Sequence, residues 1–152
     1  MIEKQVDLWF AATTADAVCV TTNGSLADRG RRGVMGRGCA KEAVEIWGEQ
    51  GVHLERRLGM YLARFGNHTG VLMPPPPYTL VVFPVKHVWD EPATLELIAR
   101  SAYELGTLAD GMGWQQVVLP RPGCGNGGLT WDVVKPIIAP MLLGDRFVVV
   151  HK

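Results

Sequence analysis

Hydrophobic and polar positions along this chain follow two periods, and the period switches several times. Residues 2–9 and 16–22 (DAVCVTT) carry β-branched and aromatic residues at strand spacing. Residues 39–48 and 52–65 change to a period of 3.6. Ala40, Ala43, Val44 and Trp47 share one helical face, and Leu54, Leu58, Tyr61 and Leu62 share the next. Strand-like runs return at 70–73 and 78–85 (YTLVVFPV), divided by Pro74 to Pro77. Four consecutive prolines neither continue a helix nor donate to a central ladder, so they form a rigid surface connection. A helix over 93–112 sets Leu95, Ile98, Ala102, Leu105 and Leu108 on one face. A short buried strand at 115–119, a helix at 131–142 entered through Thr130, and a strand at 146–150 complete the chain. This order predicts one α/β layered domain over 1–152, with a mixed, largely parallel sheet.

Composition narrows the class. The chain has 152 residues, 47% of them hydrophobic and 20% charged, which supports one sizeable core and argues against disorder. Fifteen basic and fifteen acidic residues cancel, so bulk charge does not draw the chain to nucleic acid or membrane. Cys19, Cys39 and Cys124 are odd in number and lack CxxC spacing, and His53, His68 and His151 show no ligand spacing. Neither a disulfide framework nor a metal site is expected. The start, MIEKQVDLWF, lacks a signal peptide's basic flank and apolar run, and no apolar stretch approaches the ~18 residues of a membrane span. The expectation is a soluble, cytoplasmic monomer.

The 18 glycines cluster where α/β folds place ligands, after strands and before helices. The first cluster is Asn23-Gly24 followed by GRRGVMGRGCA, ahead of the 39–48 helix. The second is PRPGCGNGGLTW, between the strand ending at Leu119 and the helix from Trp131. Glycines let backbone N–H groups approach a phosphate, and a following helix N-terminus adds a favourable dipole. One such loop is equally well a packing turn; two at matching positions favour a ligand. No Walker sequence occurs. Residues 123–128 satisfy GxGxxG, but too little chain follows for a dinucleotide-binding βαβ unit with its acidic residue.

These loops, together with VDLWFA, DAVCVTTNGSL and FPVKHVW, resemble the macrodomains that bind ADP-ribose. The pairing of GVMGRG with GCGNGGL is similar to the branch containing the DarG antitoxin and the human terminal ADP-ribose glycohydrolase. The resemblance implies a three-layer α/β/α fold around the mixed sheet. It implies that Asp7 accepts from the adenine amino group and that Asn23 joins the ligand site. Gly33, Val34, Met35, Gly36, Arg37 and Gly38 would cradle one side of the diphosphate and distal ribose. Pro122, Gly123, Cys124, Gly125, Asn126, Gly127, Gly128 and Leu129 would cradle the other. ADP-ribose is then a ligand or product, with no metal or redox cofactor. The partners implied are ADP-ribose and ADP-ribosylated protein, with ADP-ribosylated DNA left open.

The sequence also departs from the pattern. Where the human hydrolase has a catalytic aspartate in the second loop, this chain has Gly127, and Val20 replaces the first Asn of the Asn-x-x-Asn motif of another branch. Lys86 remains as the reactive group, at a strand end where α/β active sites collect. In the resembling enzymes this lysine meets the anomeric carbon of the distal ribose. A lysine there can attack an open-chain aldehyde to form a Schiff base; unaided by the motif, a strand-end Lys is an edge residue in solvent. The implied activity is hydrolysis of ADP-ribosyl linkages. A non-catalytic reader and an ADP-ribose 1″-phosphate phosphatase are the alternatives. Cys124 reads as a small packed side chain before a nucleophile, and His87 as a core or surface residue. Arg29, Arg31, Arg32 and Arg37 read as a solvated charge run or a phosphate clamp. For Trp131 and Phe147, core packing outweighs adenine stacking.

Overall fold

The computed structural model describes all residues, Met1–Lys152. Its centre is a six-stranded sheet made from β1 (Ile2–Gln5), β2 (Ala17–Asn23), β5 (Gly70–Met73), β6 (Thr79–Lys86), β7 (Val117–Pro120) and β8 (Phe147–His151). The spatial order is β1-β8-β7-β2-β6-β5. Every pairing is parallel except that of the edge strand β5, which runs antiparallel to β6.

Strict alternation along the inner strands builds two cores, one on each face, as expected of a sheet covered on both sides. Val18, Val20, Leu80, Val82, Val118, Val148 and Val150 face one core. There they meet α1 (Leu8–Ala12), α2 (Gly38–Gly48) and α3 (Leu54–Phe65). Ala17, Cys19, Val81, Phe83, Val117, Leu119, Phe147 and Val149 face the other, covered by α4 (Leu95–Met112) and α5 (Trp131–Ile138). Helix α4 starts at Thr94, whose hydroxyl accepts from Leu97 N at 3.3 Å, and stops at Gly113 in the left-handed conformation. The layers are those expected: helices, mixed sheet, helices. No helix is long and apolar enough to cross a membrane.

Three local expectations are corrected. The strand expected over 2–9 ends at Gln5, because Asp7 accepts from Trp9 N (3.0 Å) and Phe10 N (3.2 Å) and so starts α1. The helix expected over 131–142 ends at Ile138. Between Asn23 and α2, where no regular element is expected, β3 (Leu26–Ala27) and β4 (Arg32–Gly33) form a small antiparallel hairpin.

Candidate functional site

The carboxyl ends of β2, β6 and β7 open into a cavity of about 400 Å³, within the usual range of ligand pockets. The strands supply Thr21, Thr22 and Asn23, then Val85 and Lys86, then Pro120 and Arg121. Val34 to Ala40 form one wall and Gly123, Cys124, Asn126 and Gly127 the other, with Trp89 on the rim.

Two side chains, Asn23 in the lining and Glu55 outside it, fix the first wall. Asn23 Nδ2 donates to Val34 O at 3.1 Å, while its Oδ1 accepts from Ser25 N at 3.0 Å. Glu55, in the first turn of α3, accepts from Met35 N at 3.0 Å and lies 3.7 Å from the Arg32 guanidinium. The N–H groups of Gly36, Arg37, Gly38, Cys39 and Ala40 then have no acceptor within the protein. Those of Gly38 to Ala40 belong to the N-terminal turn of α2, the positive end of its dipole.

Internal bonds brace the second wall: Leu129 N to Gly123 O and Gly128 N to Gly125 O, both 3.0 Å, with Ala93 N donating to Gly127 O at 3.0 Å. Asn126 and Gly127 keep their own N–H groups free. At Gly125 φ is +80°, a conformation that side chains with a Cβ resist. The two walls approach closely; a Cβ placed on Gly38 would stand 3.6 Å from Asn126 Nδ2.

The charge in the lining has one sign. Arg37, Lys86 and Arg121 line the cavity; no carboxylate and no imidazole does. Lys86 Nζ donates to Trp89 O at 3.3 Å, and the Trp89 N–H donates to Ser25 Oγ at 2.9 Å. Arg121 stacks on the Trp131 ring (5.1 Å) and lies 3.6 Å from Glu3. Burial raises the pKa of Cys39, opposed by hydrogen bonds to Thr21; burial raises that of Cys124 too, opposed by nearby Arg121. Neither thiol is set up as a thiolate nucleophile.

The expected residues do not all meet at the cavity. Asn23, Val34, Met35, Gly36, Arg37, Gly38, Lys86, Gly123, Cys124, Asn126 and Gly127 line it together. Asp7, Gly33, Pro122, Gly125, Gly128 and Leu129 are not in its lining. Asp7 caps α1, and Gly33 packs on α3, where a Cβ would come within 2.5 Å of Leu58. Phe147 is core, and the Trp131 indole donates to Glu3 at 2.7 Å. Sequence reasoning missed Thr21, Thr22, Cys39, Ala40, Val85, Trp89, Pro120 and Arg121. Most of these sit at strand ends or at the start of α2, so applying the strand-end rule to every central strand would have found them.

No protein-family model and no curated protein matches the chain. Solved structures do. The macrodomain of Thermus aquaticus DarG superposes with a TM-score of 0.75 at 22% identity, over 99% of this chain and 97% of that one. The macrodomain of Mycobacterium tuberculosis DarG gives 0.75 at 23% identity, over 98% and 95%. The chain has the macrodomain fold. A third neighbour, Thermosipho africanus DarTG in complex with ADP-ribose, matches with a TM-score of 0.71 at 18% identity, over 95% of this chain and 39% of its own. In this fold, the second loop cannot carry an aspartate in place of Gly127 on its present backbone. A Cβ at Gly127 would lie 2.3 Å from Gly123 O and 2.7 Å from Gly123 C and Cα.

Proposed function

We propose that the chain binds ADP-ribose and hydrolyses mono-ADP-ribosyl linkages on protein or DNA. The observation that carries this reading is the pair of facing loops with free backbone N–H groups, in a cavity whose charged side chains are all cationic. Such a lining suits a diphosphate, which brings two negative charges and many acceptor oxygens. The fold shared with DarG macrodomains, and with a DarTG structure that holds ADP-ribose, supports the same ligand.

For the chemistry, the ribosyl carbon must face Lys86, the one amine in the lining. Cleavage transfers a water oxygen to the anomeric carbon as the bond to the modified group breaks. One water proton stays on the new hydroxyl and the other ends on the released group. Oxocarbenium character develops at that carbon, and the bound diphosphate opposes its charge. Lys86 contributes as the amine beside the anomeric carbon: its ammonium gives a proton to the departing group and regains one from the attacking water. A second reading, a non-catalytic reader, is favoured by one observation: no carboxylate or imidazole lines the cavity to act as general base.

Calorimetry should give a micromolar dissociation constant for ADP-ribose, about −8 kcal/mol. Absence of heat at millimolar ligand overturns the binding reading. Lys86→Ala should slow release of ADP-ribose from modified protein or thymidine-linked DNA at least tenfold, with affinity within twofold, since the lost interaction belongs to the transition state. A wild-type protein that binds but releases nothing from either substrate is a reader.

A further inference from the structure

The polar brace behind Lys86 has no part in the site described so far. The edge strand β5 covers β6 only from Leu80 to Val82, through Gly70↔Val82 and Met73↔Leu80. Beyond Val82 the outer side of β6 has no strand neighbour, yet its last carbonyls are not left open. Ser101 Oγ, from α4, donates to the Pro84 carbonyl at 2.6 Å, and Asn67 Nδ2 donates to the Lys86 carbonyl at 3.0 Å. Asn67 lies three residues before Gly70 and, in an antiparallel register, continues β5 along β6. Two side chains thus extend the ladder that β5 leaves short.

The segment carrying Asn67 is itself held firmly. Glu104 accepts from Thr69 N at 3.2 Å and lies 2.6 Å from His68 Nδ1. Thr69 Oγ1 donates to Ser101 O, Tyr61 OH donates to His68 O, and the Arg100 guanidinium donates to Asn67 O. On its other side the Asn67 amide packs on the turn after Asn23: a Cβ on Gly24 would lie 3.0 Å from Asn67 Cγ and Nδ2, and Gly24 N donates to His87 O at 3.2 Å. Asn67 Oδ1 is buried with no partner, a cost that an apolar residue would avoid.

We propose that Asn67 is a positioning residue: its amide fixes the Lys86 peptide against the Asn23 turn and so aims the amine into the cavity. This rests on Lys86 acting at the anomeric carbon. The test uses the whole chain in three forms, wild type, Asn67→Ala and Asn67→Asp, the last nearly isosteric but without the N–H donor. Each is assayed for ADP-ribose affinity, for kcat of release and, after reductive 13C-methylation, for the ligand-induced NMR shift of the Lys86 methyl signal, assigned with Lys86→Arg. Both variants should lower kcat about tenfold, keep ADP-ribose affinity within twofold and lose the Lys86 shift. Wild-type kcat and Lys86 shift in either variant, or affinity falling in step with kcat, overturns the proposal. The shift is read with ADP-ribose alone. Should Lys86→Ala release as fast as wild type, the catalytic reading fails while the methyl signal still decides whether Asn67 places the amine.

Discussion

Gly127 shows how one residue can decide what a loop does. Its missing side chain is a steric requirement, since a Cβ there would sit 2.3 Å from Gly123 O. That same carbonyl accepts from Leu129 N, and Gly127 O accepts from Ala93 N, so moving either peptide opens the loop. Gly127→Asp should therefore weaken ADP-ribose binding at least tenfold and add no hydrolysis; Gly127→Ala should weaken it in the same direction. A calorimetric affinity equal to wild type in the alanine variant would refute the steric account. Glycine spacing and Lys86 were legible in the sequence because backbone approach to an anion demands glycine and strand ends collect ligands. The cap made by Asp7 was not, since Asp7 lies within a run that reads as a strand over 2–9, and its bonds to Trp9 N and Phe10 N reveal the helix only in the folded chain. Trp89 also escaped, because its place on the rim depends on a hydrogen bond to Ser25, 64 residues away.

Among the elements, the sequence hid α1, which lies inside the strand expected over 2–9, and the hairpin of β3 and β4. LADRGRRG shows no hydrophobic period, so it reads as a charged loop, and the short ladder depends on packing against α3. That packing is tight. A Cβ on Gly33 would meet Leu58 at 2.5 Å, and one on Gly59 would meet the Arg32 backbone at 2.7 Å. Glu55 then connects helix, hairpin and ligand wall through Met35 N and Arg32. The half-exposed pair with Arg32 adds little. The bond to Met35 N, made to a charged acceptor, is worth roughly 1.5–3 kcal/mol. Glu55→Ala should raise the ADP-ribose dissociation constant about tenfold, whereas Glu55→Gln, which keeps an acceptor for Met35, should stay near wild type. Equal losses in the two variants would assign the effect to the ion pair instead. The strongly periodic helices and the apolar strands needed no such context, and they lie within a few residues of where the pattern puts them.

Across the whole molecule, Glu3 joins parts far apart in sequence. On edge strand β1, it takes hydrogen bonds from Lys135 Nζ (2.6 Å) and the Trp131 indole (2.7 Å), both on α5, and lies 3.6 Å from Arg121 in the second ligand wall. The Lys135 hydrogen bond, helped by Trp131 and Arg121, outweighs partial burial and holds the Glu3 carboxyl below the ordinary carboxylate range. A carboxyl with a lowered folded-state pKa binds its proton more readily when unfolded. Its contribution to stability is therefore full above the unfolded value, near pH 4.5, and is lost as pH falls through the lower folded value. Glu3→Gln removes the charge at every pH. Its melting temperature should lie below wild type from pH 5 to 8, and the two curves should converge as pH falls below the ordinary carboxylate range. Arg121 has a second hold, its stack on Trp131, so the variant should lose stability more than ADP-ribose affinity. Thermal melts of both proteins across pH 3 to 8 check this, and a gap that stays constant down to pH 3 would show that Glu3 acts through packing and not through its charge.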